Sequence, residues 1–450
     1  MTNASSPSTQ TMTEGSPARL IFTFAIPLML GNMLQQVYTL VDTLIVGRAL
    51  GVSALAALGS ADWYNYLMIS VVQGFTQGFS ILMAQNFGAG RYERLKQTVA
   101  HSIFLCTVSA LLLTAFAEGS ISTALVLLRV PEEIQPLTTS YFRILFAGIP
   151  AMMLFNFGAC TLRALGNGRT PLYAMVSSSL LNIGLDLLFV LVFQWGIEGA
   201  AIATVISQIF SGVFCLVVIR RIPHLHVRRS DFARDLSLDL HLLRLSFPMV
   251  LQNVLISIGG MIVSYVANGF GVVFIAGYTA TNKLYGMLEM AAVAYGYSMV
   301  TYTGQNFGAG KSDRIRRGLR DGLLIAILTG AVVGLVMILF SRPIVGAFLS
   351  GDPAEVAAAE EVALRYLFII SVTLPILYVL HVVRSSLQGL GDTVMPMLSG
   401  IAEFAMRTLM ALVAASFFGA TAIMYGEVIA WIGADVVLIG AIVSRLRKLP

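Results

Sequence analysis

Apolar runs of about twenty residues or more recur from Leu20 to the end of this 450-residue chain, separated only by short polar stretches. A helix rises 1.5 Å per residue, so each run is long enough to cross a hydrocarbon core roughly 30 Å thick. Only 11% of the residues are charged and 57% are hydrophobic, whereas a soluble domain carries charge on about a quarter of its residues. A soluble multidomain enzyme is therefore excluded. The chain is expected to be an all-α integral membrane protein.

Breaks at Gly, Pro and charge clusters give twelve spans, near 20–47, 55–85, 98–118, 140–163, 171–194 and 197–220, then 242–268, 274–305, 318–340, 362–388, 395–418 and 421–445. The expected organisation is a tail (1–16), a first six-helix lobe (17–222), a basic linker (223–240) and a second lobe (241–450). The tail is polar and rich in Ser and Thr, with no basic region ahead of a short apolar core, so it reads as disordered and not as a cleaved signal peptide.

With the N-terminus inside, 20 of the 28 Lys and Arg residues fall on the cytoplasmic side, five on the other, and Lys283, Arg384 and Arg407 within spans. That asymmetry places both termini in the cytoplasm of a multi-pass protein of the inner (plasma) membrane. The net charge of +5 then follows from topology and calls for no nucleic-acid partner. Topology alone also accounts for the basic loop RRIPHLHVRRSDFARD, with contact to anionic membrane lipid as the alternative reading. Cys106, Cys160 and Cys215 all lie in apolar segments without metal-ligand spacing and read as small buried hydrophobes. His224 and His226 lack further ligands and read as part of a solvated loop.

The string QNFGAG occurs twice, at 85–90 and 305–310, each time ending an apolar segment ahead of a basic stretch. A similar offset relates IPLMLGN (26–32) to FPMVLQN (247–253) and LRALGNGRTP (162–171) to LQGLGDTVMP (387–396). The chain is thus two homologous halves. Six helices per half is an even number, so the repeat is parallel, and such architectures carry a central cavity between two bundles that alternate access.

Within YTLVDTLIVG, Asp42 is an acid on an apolar helix with no basic residue within a turn to pair with it. Asn182 and Asp186 stand four apart on one face of the fifth span. By helical rise Asp42 lies roughly 8 Å below the outer helix end, Asp186 roughly 12 Å and Thr204, on the sixth span, roughly 10 Å. Two carboxylates in one pocket cannot both ionise cheaply, so the pocket favours a proton or a cation. Asn32, Gln35, Tyr38 and Asp42 draw a polar stripe down the first span, which also contains Pro27, a candidate bending point. In the second half, Tyr278, Asn282, Tyr285 and Glu289 share a face beside Lys283, and Glu403 and Arg407, four apart, read as an internal ion pair.

The proline-to-asparagine opening of each half, VDTLIVG, the duplicated QNFGAG and LRALGNGRTP together resemble the multidrug and toxic compound extrusion family, from about Leu20 to the end. The resemblance implies two six-helix lobes around a central cavity and export of organic, often cationic or amphipathic, compounds in antiport with protons or sodium, without a cofactor or enzymatic activity. It also implies an amino-lobe cation site at Asp42, Asn182, Asp186 and Thr204, with Asn156 of the fourth span as a further ligand; sodium would be its only metal. The cavity would be lined by Asn32, Gln35, Tyr38, Tyr278, Asn282, Tyr285 and Glu289, in a protein expected to be a monomer. Residues 242–268 and 362–388 hold no Asp or Glu, which departs from branches with a carboxyl-lobe cation site and is closer to the DinF-like bacterial branch. The rival readings are a lipid-linked precursor flippase, which would call for more in-span arginines, and a non-transporting receptor, which flux measurements separate.

Overall fold

The duplicated QNFGAG is a helix stop. In each copy the amide of the residue that follows the motif returns to the asparagine carbonyl, Arg91 to Asn86 at 3.0 Å and Lys311 to Asn306 at 2.9 Å, and the final glycine adopts a left-handed φ of 67° at Gly90 and 69° at Gly310. This is the Schellman closure of a helix C-terminus, which a glycine satisfies without a Cβ clash. The second repeated element stops one helix and starts the next. Asn167 N bonds Leu162 O and its Oδ1 accepts from Thr170 N; Asp392 N bonds Leu387 O and its Oδ1 accepts from Met395 N. The repeated motifs are therefore turn chemistry.

These data come from a computed structural model that describes residues 9–128, 130–349 and 353–449, so Arg129 and the first eight residues of the expected tail lie outside the described residues. In chain order the first half forms α1 (Pro17–Leu50), α2 (Val52–Gly88), α3 (Tyr92–Leu127), α4 (Gln135–Ala147), α5 (Ile149–Ala164), α6 (Arg169–Asp186) and α7 (Gly196–Arg220). The second half forms α8 (Leu236–Ala267), α9 (Val272–Gly308), α10 (Ser312–Leu339), the short α11 (Ser341–Gly346), α12 (Pro353–Gly389), α13 (Val394–Leu409), the short α14 (Ala415–Phe418) and α15 (Ala420–Arg447). No strand occurs among the described residues.

Ten helices are long and apolar enough to span a membrane, or eleven when α4 and α5 count as one span bent by 45°. The bend falls where Gly148 precedes Pro150, whose missing N–H ends the hydrogen-bond ladder. The remaining long helix, α9, is diluted by Tyr, Thr, Asn and Gly and completes the second set of six. The fifth and eleventh spans each continue from α-helix into a wider π turn, Leu187–Val192 and Met410–Ala414. Several helices outrun the expected spans; α3 extends at both ends beyond 98–118, and its first five residues include Glu93, Arg94 and Lys96.

The chain divides into two compact units whose membership differs from a cut in the linker. One holds Leu30–Val250 and the residues up to Thr11; the other holds Met12–Met29 and Leu251–Pro450. The start of α1 thus belongs with the second half and the start of α8 with the first. The physical cause is apolar packing at each start. Ile21, Phe24, Ala25 and Leu28 are buried in one core with Tyr295, Met299 and Leu319, while Leu238 and Leu242 are buried in the other with Leu95 and Val99. Gly74 and Gly78 of α2 admit the α8 backbone, because an added Cβ would stand 2.5 Å from Val250 Cα and 2.3 Å from Ser246 Cα.

The segments ahead of these helices are anchored too. The stretch from residue 9, expected to be disordered, is held: Gln10 N bonds Leu165 O, Met12 is 1% exposed, and Met12 N donates to Gln305 Oε1 at 2.7 Å. Asn306 Nδ2 and Arg314 Nη2 donate to Met12 O, Lys311 Nζ to Thr13 O and Arg314 Nη1 to Gly15 O. Ahead of α8, Asp235 accepts from Ser237, Leu238 N and Arg94, and these donors hold its carboxyl down at about 2. His101 binds Asp239 at 2.7 Å and Ala233 O at 3.1 Å.

Candidate functional site

The first unit brings the two candidate acids together. Asp186 is fully buried and Asn182, one turn earlier on α6, is 2% exposed. Asp42 is half-buried on α1, and its carboxylate and that of Asp186 lie close enough to act on each other, with Tyr38 beside both. None of the Asp186 carboxylate oxygens, the Asn182 amide atoms or Asp42 Oδ1 has a hydrogen-bond partner in the protein. Buried polar groups are ordinarily paired, and an uncompensated charge in the interior costs several kcal/mol. Among the described residues these are five unsatisfied polar atoms on three residues, four of them oxygens that could ligate a cation and one the Asn182 amide nitrogen. The wide π turn begins at Leu187, directly after Asp186, a break in helical regularity that recurs at functional sites.

The other residues expected at this site stand differently. Thr204 is half-buried on α7, which packs along α6, but no hydrogen bond joins it to the acids among the described contacts. Asn156 spends its amide on its own helix, Nδ2 donating to Met152 O at 2.9 Å. Asn32 is half-buried and Gln35 exposed on the α1 stripe. Pro27 lies inside a continuous α1, two residues before the division at Met29.

In the second unit, the α9 face is mostly an aromatic ladder. Tyr278 stacks between Phe274 and Tyr366, with centroids 5.8 and 5.3 Å away, and Tyr285 stacks on Trp431 at 5.8 Å. Tyr366 donates to Asn282 Oδ1 at 3.4 Å. The Glu289 carboxylate lies 3.6 Å from His381 Nε2, while Lys283 is exposed. The expected Glu403–Arg407 pair is present at 2.8 Å but is half of a larger network. Glu403 also binds Arg384 at 2.7 Å, and Arg407 binds Glu427 at 2.7 Å, so two buried arginines balance two buried glutamates across α12, α13 and α15. Asp435, 7% exposed with Oδ1 unpartnered, is a further acid in this region. Sequence reasoning did not single out Glu427, Asp435 or His381. A signal existed for the first two: Glu427, Trp431 and Asp435 are spaced by four and four along one face of an apolar helix.

The HxH histidines are both exposed, as expected of a solvated loop, and each still has a contact. His224 stacks on Tyr92 at 4.0 Å and His226 Nε2 bonds Arg220 O at 2.9 Å. No group of three or more metal-ligating side chains occurs among the described residues.

Comparison with known proteins places this architecture. The MatE family model matches residues 27–188 and 248–413, one match in each half. The chain is 33% identical to the probable multidrug resistance protein YoeA of Bacillus subtilis over 352 residues, 76% of each chain. It is 24% identical to the probable multidrug resistance protein NorM of Thermotoga maritima, across 92% of this chain and 88% of that one. Its fold superposes on an outward-facing multidrug resistance MATE family transporter with a TM-score of 0.89 at 22% identity, covering 99% of this chain and 100% of the other. The twelve-helix, twofold-repeated chain belongs to the MatE family of multidrug efflux transporters, which are not enzymes.

Proposed function

We propose that this secondary active transporter exports organic, cationic or amphipathic compounds across the inner membrane by alternating access, in antiport with protons or sodium bound between Asp42 and Asp186. The observation that carries the reading is the pair of neighbouring carboxylates beside Asn182 and Tyr38, whose buried oxygens have no ion-pair partner among the described residues. In a low dielectric a carboxylate is neutralised by protonation or by a bound cation. Occupancy then favours one conformation of α1 and vacancy the other, which links ion flow to substrate release. Thr204 supplies a further oxygen from α7, and Asn156 joins by releasing Met152 O. Pro27 is the bending point of α1. Asn32, Gln35 and Tyr38 in the first unit, and Tyr278, Asn282, Tyr285 and Glu289 in the second, form the substrate-facing surfaces. Both termini lie in the cytoplasm and the protein works as a monomer.

The test is transport in proteoliposomes under separately imposed proton and sodium gradients, which also names the coupling ion. Asp42→Asn and Asp186→Asn should each lower gradient-driven export by at least about tenfold while leaving membrane insertion and some substrate binding intact. Because the two act as one site, the double variant should be scarcely worse than either single one. Export by Asp42→Asn at the native rate, with unchanged ion dependence, would sink the proposal.

A further inference from the structure

The first unit contains an apolar cavity of about 620 Å³ that the transport reading does not use. Its walls come from three helices: Ile103, Cys106 and Ala110 of α3, Met153 of α5, and Leu216 and Ile219 of α7. Leu225, Val227 and Phe232 of the linker close one end, where Arg220 and His226 form the polar rim. No acidic side chain lines it. The volume lies within the range of ligand cavities, on the order of 300–1,000 Å³.

Three further observations bear on what fills it. The rim sits at the basic end of α7, and Arg221, Arg228 and Arg229, close by in the chain, are exposed, with Glu93 and Asp231 near Arg228. Neither Arg220 nor Arg221 has an ion-pair partner among the described residues, and the His226 ring is anchored at the rim by its bond to Arg220 O. The adjoining face of α3 presents Phe104, Val108, Leu111 and Leu112, each more than a third exposed, as a helix facing hydrocarbon does. An arginine in the last turn of a helix is favourable on its own, since it meets the partial negative charge of the terminal carbonyls. That accounts for Arg220 and leaves the cavity beside it unexplained.

We propose that this cavity is a binding site for an anionic phospholipid of the cytoplasmic leaflet, with an acyl chain between α3, α5 and α7 and the headgroup phosphate on Arg220 and the neighbouring linker arginines. An apolar slot with an arginine on its rim and no acid in its lining matches a ligand that is apolar along its length and anionic at one end. Guanidinium groups bind phosphate oxygens through charge-assisted hydrogen bonds, and the cytoplasmic leaflet is the one that supplies anionic headgroups. By joining α3, α5 and α7 to the linker, the lipid would fix the segment that connects the two halves of the chain.

The full-length protein, reconstituted in vesicles of equal parts phosphatidylglycerol and phosphatidylcholine and then extracted in mild detergent, is examined by native mass spectrometry for retained lipid. Wild type should retain one phospholipid, with phosphatidylglycerol favoured at least about fivefold, the preference expected for a single arginine at the headgroup. Ala110→Phe, which fills the slot, should remove the retained lipid; Ile103→Phe serves the same purpose should Ala110→Phe fail to assemble. Arg220→Gln with Arg228→Gln should bring the preference to about one, and Arg220→Lys with Arg228→Lys should restore most of it. Retention unchanged by both cavity-filling variants, or a wild type that holds the two lipids equally, would overturn the proposal.

Discussion

Glu403 is bound by two arginines, Arg384 at 2.7 Å and Arg407 at 2.8 Å, and all three side chains are at least nine-tenths buried. Replacing Glu403 by Gln leaves Arg384 without its ion-pair partner and Arg407 with Glu427 alone. Breaking a buried pair in this way costs about 3–5 kcal/mol, so Glu403→Gln should melt well below wild type in detergent. Asp435 is the contrast: its Oδ1 accepts no hydrogen bond and Arg384 acts on it only through space, so Asp435→Asn should cost less stability than Glu403→Gln in the same assay. The half of this network visible in the sequence is the i,i+4 pair on one helix. Arg384 and Glu427 reach it from helices 19 and 20 residues away in the chain (403 − 384 and 427 − 407), a proximity that only packing creates. The same divide runs through the proposed cation site. Depth along the helices matched Asp42 to Asp186, but that Asn156 is turned back onto Met152 O is set by rotamer choice, for which the sequence carries no signal.

At the scale of elements, the repeated motifs were legible as landmarks and their physical content was not. QNFGAG and LRALGNG look like signatures of an activity, yet their conserved spacing within the chain reflects hydrogen-bonded helix stops with left-handed glycines at Gly90, Gly310, Gly166 and Gly391. Gly90 and Gly310 have nothing within 4 Å of an added Cβ, so substitution there meets backbone strain alone. Gly90→Ala should therefore destabilise by about 1–2 kcal/mol, the cost of holding an L-residue in that region, and Gly310→Ala by the same amount. Thermal melting of the two variants checks this, and a marked difference between them would show that the two halves do not bear the same turn. The π turns after Asp186 and Leu409 were not foreseen, because an apolar run reads the same to periodicity whether its turns close at four residues or five.

For the whole molecule, the span count and the parallel repeat followed from apolar length and duplication, since both are properties of the chain that a bilayer constrains. The membership of the two units did not, because helix starts are apportioned by packing and not by position in the sequence. Orientation rests on the distribution of Lys and Arg. On a background with the three buried cysteines replaced, Arg228→Cys should react with an impermeant maleimide only from the cytoplasmic side, and Glu132→Cys, exposed before α4, only from the other. Labelling of both from one face would refute the twelve-span arrangement.

The anchoring of Met12–Gly15 on the second QNFGAG, and of Ala233–Asp239 on α3, has a meaning for the origin of the chain. Each half lends its opening segment to the unit built from the other half, so neither repeat by itself contains everything its core needs. An ancestral single-copy protein of six helices would have met that need by exchanging its N-terminal arm with a second copy, as domain-swapped dimers do. In the present chain the exchange is internal, because residues 223–240 join the two halves covalently. Present-day fragments severed within residues 223–229 should accordingly accumulate only when both are made in the same cell.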